Sequence, residues 1–210
     1  MTFLRRFARA GAAALLLAAL AGCADAELPG GSPSIVGPDA PPFAIAADRE
    51  VLGTGTVLQK NGEEAQLCLG AVAESYPPQC GGPPISGWDW AAVDGEETAS
   101  GVTWGTYAVQ GTWDGTRFTV TQPPIMLALY DPMASPDPRE DPANAGTSDE
   151  ADLLTIEDEL AEAVDILGSY PSNGYLFADV LYDNGQIQRY VDEVYGDGVV
   201  AVRSALRDLG

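Results

Sequence analysis

Of the 210 residues, 31 are Asp or Glu, 10 are Lys or Arg, and none is histidine. The chemistry such a chain could carry is therefore carboxylate chemistry, because without histidine there is no Ser-His-Asp or Cys-His relay, no imidazole general base and no imidazole metal ligand. Paired carboxylates can hydrolyse glycosides when two of them face one another across a bond. No spacing here sets two acids at such a separation. Gly-x-Ser-x-Gly, P-loop, Gly-x-Gly-x-x-Gly and EF-hand patterns are also missing, so a catalytic role is not expected and no cofactor is implied.

The remaining reactive or adhesive side chains are three cysteines, Cys23, Cys68 and Cys80, and a run of aromatics. Trp88, Trp90, Trp104 and Trp113 are the four tryptophans of the chain, with Tyr76 and Tyr107 beside them. Exposed rings of this kind could stack on sugars or anchor a protein interface, whereas buried ones would fill a small barrel. Trp88 and Trp90 are two apart, so on a strand they would share a face. With Tyr76 they form the candidate binding residues.

The start of the chain supplies the setting for these groups. Arg5, Arg6 and Arg9 precede an apolar run from Ala10 to Leu20, followed by Ala21-Gly22-Cys23. This is the order of a secretory signal peptide over residues 1–22, and the run is too short to span a bilayer as a permanent helix. Leu20-Ala21-Gly22-Cys23 resembles the lipobox of bacterial lipoproteins. That resemblance implies diacylglyceryl transfer to the Cys23 thiol and attachment to a membrane through lipid, which is the membrane partner expected here. The pair Arg5-Arg6 leaves the choice between the general and the twin-arginine export route open.

Signal removal would take the formal charge from −21 to −24 by deleting three arginines. Such a charge repels a phosphate backbone, so nucleic acid is not expected as a partner. With Cys23 carrying lipid outside the cytoplasm, Cys68 and Cys80 are left where thiols oxidise, and a disulfide is expected. A two-thiolate metal site is the alternative, for which further ligands would be needed.

Gln66-Leu-Cys-Leu-Gly-Ala-Val72, followed by Tyr76-Pro-Pro-Gln-Cys80-Gly-Gly-Pro-Pro-Ile-Ser-Gly-Trp-Asp-Trp90, resembles a segment of uncharacterised secreted or lipid-anchored bacterial proteins. It brings no activity with it. Physically, its prolines, glycines and cysteine bridge would stiffen a loop, and stiff loops display binding residues.

The elements that must position these groups follow from periodicity. Residues 23–47 are rich in Pro, Gly and Ser and read as a lipidated flexible tether. Residues 48–130 alternate apolar and polar side chains, with hairpin turns at Asn61-Gly62 and Asp114-Gly115. They predict a small antiparallel β-barrel or sandwich. Tyr107 to Val120 resembles the closing hairpin of an OB-fold barrel, which implies the barrel form. Residues 131–146, with four prolines and several acids, read as a linker.

Residues 147–210 predict a small α/β part in the order α-β-α-β. Ile156, Leu160, Val164 and Leu167 fall on one helical face, closed by Gly168. The apolar run Tyr175–Tyr182 and the run Val199–Leu206 should pair in parallel through a crossover. Two strands make no stable sheet, so a neighbour is required. Asp179, a charge in an apolar strand, is expected at a sheet edge, with a polar site in a groove as the alternative.

The fold class expected is thus α+β. The function expected is that of a membrane-anchored extracytoplasmic lipoprotein, a non-enzymatic module of the cell envelope that binds a protein or peptide or serves structurally. An envelope glycan is the alternative ligand, and a carboxylate-dependent hydrolase a third reading.

Overall fold

The computed structural model describes residues 44–132 and 136–210. The signal peptide, Cys23 and the tether up to residue 43 lie outside the described residues.

Strand β1 (Val51–Lys60) turns at Asn61-Gly62 into β2 (Gln66–Cys68). Gly62 has φ +81°, a value that glycine adopts without the Cβ penalty of other residues. After a long loop come β3 (Ile85–Ser86), a single 3-10 turn at Trp90–Ala92 and β4 (Glu97–Ala99). Strand β5 (Val102–Trp113) is the longest, and is followed by β6 (Phe118–Val120) and β7 (Ile125–Met126). The β5–β6 turn is held by Asp114, whose Oδ1 accepts from Thr116 N at 2.8 Å and Arg117 N at 2.7 Å. Both Asn-Gly and Asp-Gly hairpins therefore form where the turn chemistry places them.

Strand β5 is the axis of the first part. One edge pairs with β1 along its length, and the other takes β4, β7 and β6 end to end. Strand β6 pairs in parallel with β3, and β2 pairs with β1. An isolated bridge at Gln66 and Pro84 also links β2 to the start of β3, where Leu67 N donates to Pro83 O and Ile85 N to Ala65 O, each at 2.9 Å. The result is one strongly curled sheet of half-barrel form, not two packed sheets. Its interior is filled by Val57, Leu67, Tyr107, Val109 and Phe118, all essentially inaccessible. Burying each such side chain contributes about 1.5–3 kcal/mol.

The second part contains α1 (Glu150–Ala163), β8 (Ile166–Ser172), β9 (Tyr175–Val180), α2 (Gln186–Tyr195), β10 (Val200–Ser204) and β11 (Arg207–Asp208). Asp149 caps α1 by accepting from Asp152 N at 3.0 Å, and acids in the first turn suit the positive end of the helix dipole. The order is α-β-β-α-β-β, two strands more than the periodicity predicts: β8 before β9, and the short β11 at the end. The helix ends at Ala163, with Val164 already extended at φ −130° and ψ 138°. Leu167 and Gly168 lie in β8 rather than on the helix.

The cause of that difference is the turn Asn173-Gly174. Both residues have positive φ, +50° and +78°, and Ser172 opposes Tyr175, so a two-residue hairpin ties β8 to β9. The ladder gained by pairing β8 outweighs one further helical turn. It also supplies the third strand that the sheet requires. The order is β10-β9-β8, with β9 and β10 parallel as expected. Asp179 is on β9 and is therefore central, not at an edge.

The two parts share one apolar cluster, in which Val51, Tyr107, Trp113 and Phe118 join Leu153, Leu160, Leu176, Val191 and Leu206. Strand β11 pairs with β1 at Val51 and Leu52, adding the end of the chain to the curled sheet. The Pro- and Asp-rich stretch between the parts contains two 3-10 turns, Pro138–Glu140 and Pro142–Asn144, each started by an aspartate cap, Asp137 and Asp141. Asn173 Nδ2 donates to Arg139 O at 2.8 Å and Asp141 O at 2.9 Å, fastening this stretch to the β8–β9 turn.

Candidate binding surface at the disulfide loop

Cys68 ends β2 with almost no exposure, and Cys80 reaches it across a twelve-residue separation with Cα atoms 6.0 Å apart. The bridge is a disulfide, which removes the two-thiolate metal alternative. Among the described residues no group of three or more His, Cys, Asp or Glu is placed to hold a metal ion.

Inside the bridged loop Ala73 N donates to Gln79 O at 2.8 Å, Ser75 Oγ to Pro77 O at 2.8 Å, and Gln79 Nε2 to Ser75 Oγ at 3.3 Å. Pro77 and Pro78 remove further backbone freedom. The loop is thus held from within. It carries Tyr76 outward with 72% of the side chain's residue surface accessible. The Tyr76 ring stands edge-on to Trp104 at 5.3 Å, and its hydroxyl donates to Glu97 Oε2 at 3.4 Å. Beside it opens a groove of about 550 Å³ lined by Lys60, Tyr76, Pro77, Pro78 and Val102 among others.

The other sequence candidates are placed differently. Trp104 and Trp113 are buried, and Trp113 Nε1 donates to Ile45 O at 2.8 Å. Trp88 and Trp90 do not share a strand face, because Trp88 lies in a loop and Trp90 begins a 3-10 turn. Their rings meet at 5.2 Å and 78°, and Trp88 packs on Tyr107 at 4.9 Å and 63°. Trp90 Nε1 donates to Gln59 Oε1 at 2.6 Å. Both are half-buried and seal one side of the barrel core against Tyr107. Burial, reinforced by Glu96 and Asp94, raises the Tyr107 phenol above its ordinary pKa. The groove thus gathers Tyr76 without the two tryptophans.

Lys60, Val102 and Glu97 were not singled out by sequence reasoning. Lys60 carried one signal, since it is the only lysine of the chain and sits at the mouth of the Asn61-Gly62 turn.

A second group of polar side chains lies on the three-stranded sheet. Arg203 donates through Nε and Nη2 to Asp179 at 2.8 and 2.9 Å, and through Nη1 to Tyr170 Oη at 2.9 Å and Glu140 Oε1 at 3.2 Å. Its guanidinium lies over Phe177 at 5.1 Å and Tyr170 at 5.2 Å. All three guanidinium nitrogens are engaged within the cluster, which covers the buried Phe177. On the barrel, Arg117 ties the two hairpin turns by bonding Glu64 at 3.0 and 3.2 Å and Ser86 at 3.1 Å.

The fold and this loop define the class: a two-part α+β protein whose curled sheet presents a disulfide-held loop. The disulfide points to an oxidising, extracytoplasmic compartment. Among the described residues no helix is long and apolar enough to cross a membrane. No protein-family model matches the chain, and no curated protein and no solved structure matches it either.

Proposed function

We propose that this chain is a lipid-anchored extracytoplasmic protein of the bacterial cell envelope, acylated at Cys23, which binds a protein or peptide ligand and catalyses no reaction. The observation that carries the binding reading is Tyr76: a large amphipathic ring held out in solvent by a bridged, proline-stiffened loop and backed by Trp104. A ring ordered before binding loses little conformational entropy on binding, and tyrosine is enriched at the energetic centres of interfaces. The anchor reading is supported by the signal-like start of the chain and by the disulfide.

Two measurements test it. Replacing Cys23 by Ala should move the protein from the membrane fraction to the soluble extracytoplasmic fraction and abolish palmitate incorporation; a membrane-bound, labelled Cys23→Ala protein would reject the anchor. A photo-crosslinking residue at position 76 of the full chain should give a discrete protein adduct in cells, and one at the equally exposed Leu129 should not. A polysaccharide adduct at position 76 would move the reading to glycan binding, and matching adducts at both positions would dismiss the loop as a site.

A further inference from the structure

Lys60 is the only lysine in a chain with 31 acidic side chains, and it lines the groove beside Tyr76. Its ammonium forms no salt bridge with a carboxylate among the described residues, a property it shares with Arg49, Arg189 and Arg207 but not with Arg117, Arg139 and Arg203. No residue lining the groove is acidic. The lining thus carries one charge, the Lys60 cation, beside a rigid aromatic and two prolines, with the Glu97 carboxylate next to it engaged by the Tyr76 hydroxyl. Salt screens charges beyond about 8 Å at physiological ionic strength, so a ligand seated in the groove senses Lys60 and Glu97, whose Oε2 already accepts from the Tyr76 hydroxyl at 3.4 Å, before the acids farther away.

We infer that the groove takes an extended acidic peptide segment, one carboxylate resting on Lys60 Nζ and an adjacent apolar or proline residue on Tyr76 and Val102. Aromatic walls flanked by proline suit extended chains, which enter with little conformational entropy to lose. The inference rests on the proposal that this loop binds a peptide, and adds the charge of the ligand.

The test titrates the full chain in detergent micelles with the capped peptides Ac-(Glu-Pro)3-NH2 and Ac-(Gln-Pro)3-NH2, followed by calorimetry. The glutamate peptide should bind about fivefold more tightly than its glutamine counterpart, the size of effect a solvent-exposed ion pair provides. Lys60→Gln should erase that difference and Lys60→Arg should preserve it, with unchanged circular dichroism for both. Equal affinities for the two peptides, or a Lys60→Gln protein that still prefers glutamate, would overturn the inference. So would heparin binding that depends on Lys60 while the glutamate peptide fails to bind, because the anion would then be a glycan. If the position-76 adduct persists in Lys60→Gln cells, the loop remains a binding surface and only the acidic specificity falls.

Discussion

Arg203 grips Asp179 from the directly opposed position of the parallel β9–β10 ladder, with two hydrogen bonds of 2.8 and 2.9 Å in a forked arrangement. A charge that looks misplaced in the run Tyr175–Tyr182 is neutralised by a residue 24 positions away. The fork also places the guanidinium over Phe177. Both side chains are partly accessible, so solvent screening limits the gain. Arg203→Ala should cost about 1–2 kcal/mol, more than Asp179→Ala, because it also releases Tyr170 and Glu140. A double-mutant cycle by urea denaturation should give about 1 kcal/mol of coupling, and a coupling near zero would reduce the fork to a surface ornament.

Gly105 lies under the ring of Tyr107. A Cβ at Gly105 would come within 2.5 Å of Tyr107 Oη and 2.7 Å of Cε2, and the Tyr107 ring is also packed against Trp88 at 4.9 Å and Trp90 at 6.4 Å. Gly105→Ala should therefore destabilise the fold by roughly 1–3 kcal/mol through overpacking. Adding Tyr107→Leu should cost less in the Gly105→Ala background than in the wild type. Additive losses in thermal denaturation would mean that the two positions do not compete for space.

Gln188 closes the open side of β10. Its Nε2 donates to Val200 O at 2.9 Å and its Oε1 accepts from Val202 N at 3.0 Å, so one side-chain amide stands where another strand would pair. An exposed strand edge is a template for association. Gln188→Ala should cost about 1–2 kcal/mol and cause concentration-dependent self-association in light scattering. A monomer at all concentrations would show that the edge is guarded by other means.

Asp137 has its carboxyl pulled down to about 2 from an ordinary 3.8, chiefly by the hydrogen bonds from the Arg139 side chain. A carboxylate with a depressed folded pKa stabilises above the unfolded value. That contribution, at most about 2 kcal/mol, should fade as pH falls from about 5 towards 2. Asp137→Asn should flatten this acid limb of the stability profile. At the other extreme, burial and Asp208 push the Tyr182 phenol up to about 12. Its contribution is complete below pH 10 and is lost as pH rises through 12, so Tyr182→Phe should make the protein more resistant to alkali in that window.

Breaking the Cys68–Cys80 bridge with Cys68→Ala and Cys80→Ala should cost about 3 kcal/mol by the chain-entropy model for so short a loop. Limited proteolysis at neutral pH should then cut between residues 73 and 79, where the bridged protein resists. Equal resistance with and without the bridge would assign the rigidity of the loop to its prolines and hydrogen bonds.

The local signals in this chain were legible wherever a few adjacent residues decide the outcome. Asn61-Gly62 and Asp114-Gly115 turn as their backbone preferences dictate, and the alternation of Val102–Trp113 marks a strand with one buried face. Asn173-Gly174 is a signal of the same kind that the helical spacing of Leu160, Val164 and Leu167 obscured. For the loop, the two cysteines and two prolines announced a stiff segment. They did not announce that Tyr76 would stand outside it, or that Lys60 would face it from β1.

The amino-acid sequence by itself determined the α+β class, the hairpin turns, the pairing of Cys68 with Cys80 and the acidic surface, because each follows from composition or from contacts within a short span. Tertiary structure alone decided that β8 is a strand, that Asp179 meets Arg203, that Trp88 and Trp90 close a core, and that Tyr76 and Lys60 share a groove. Each of those outcomes depends on which distant segment arrives alongside. A side chain's burial and charge partner are properties of that neighbour, set by the free energy of packing the whole chain and not by the residues that flank it.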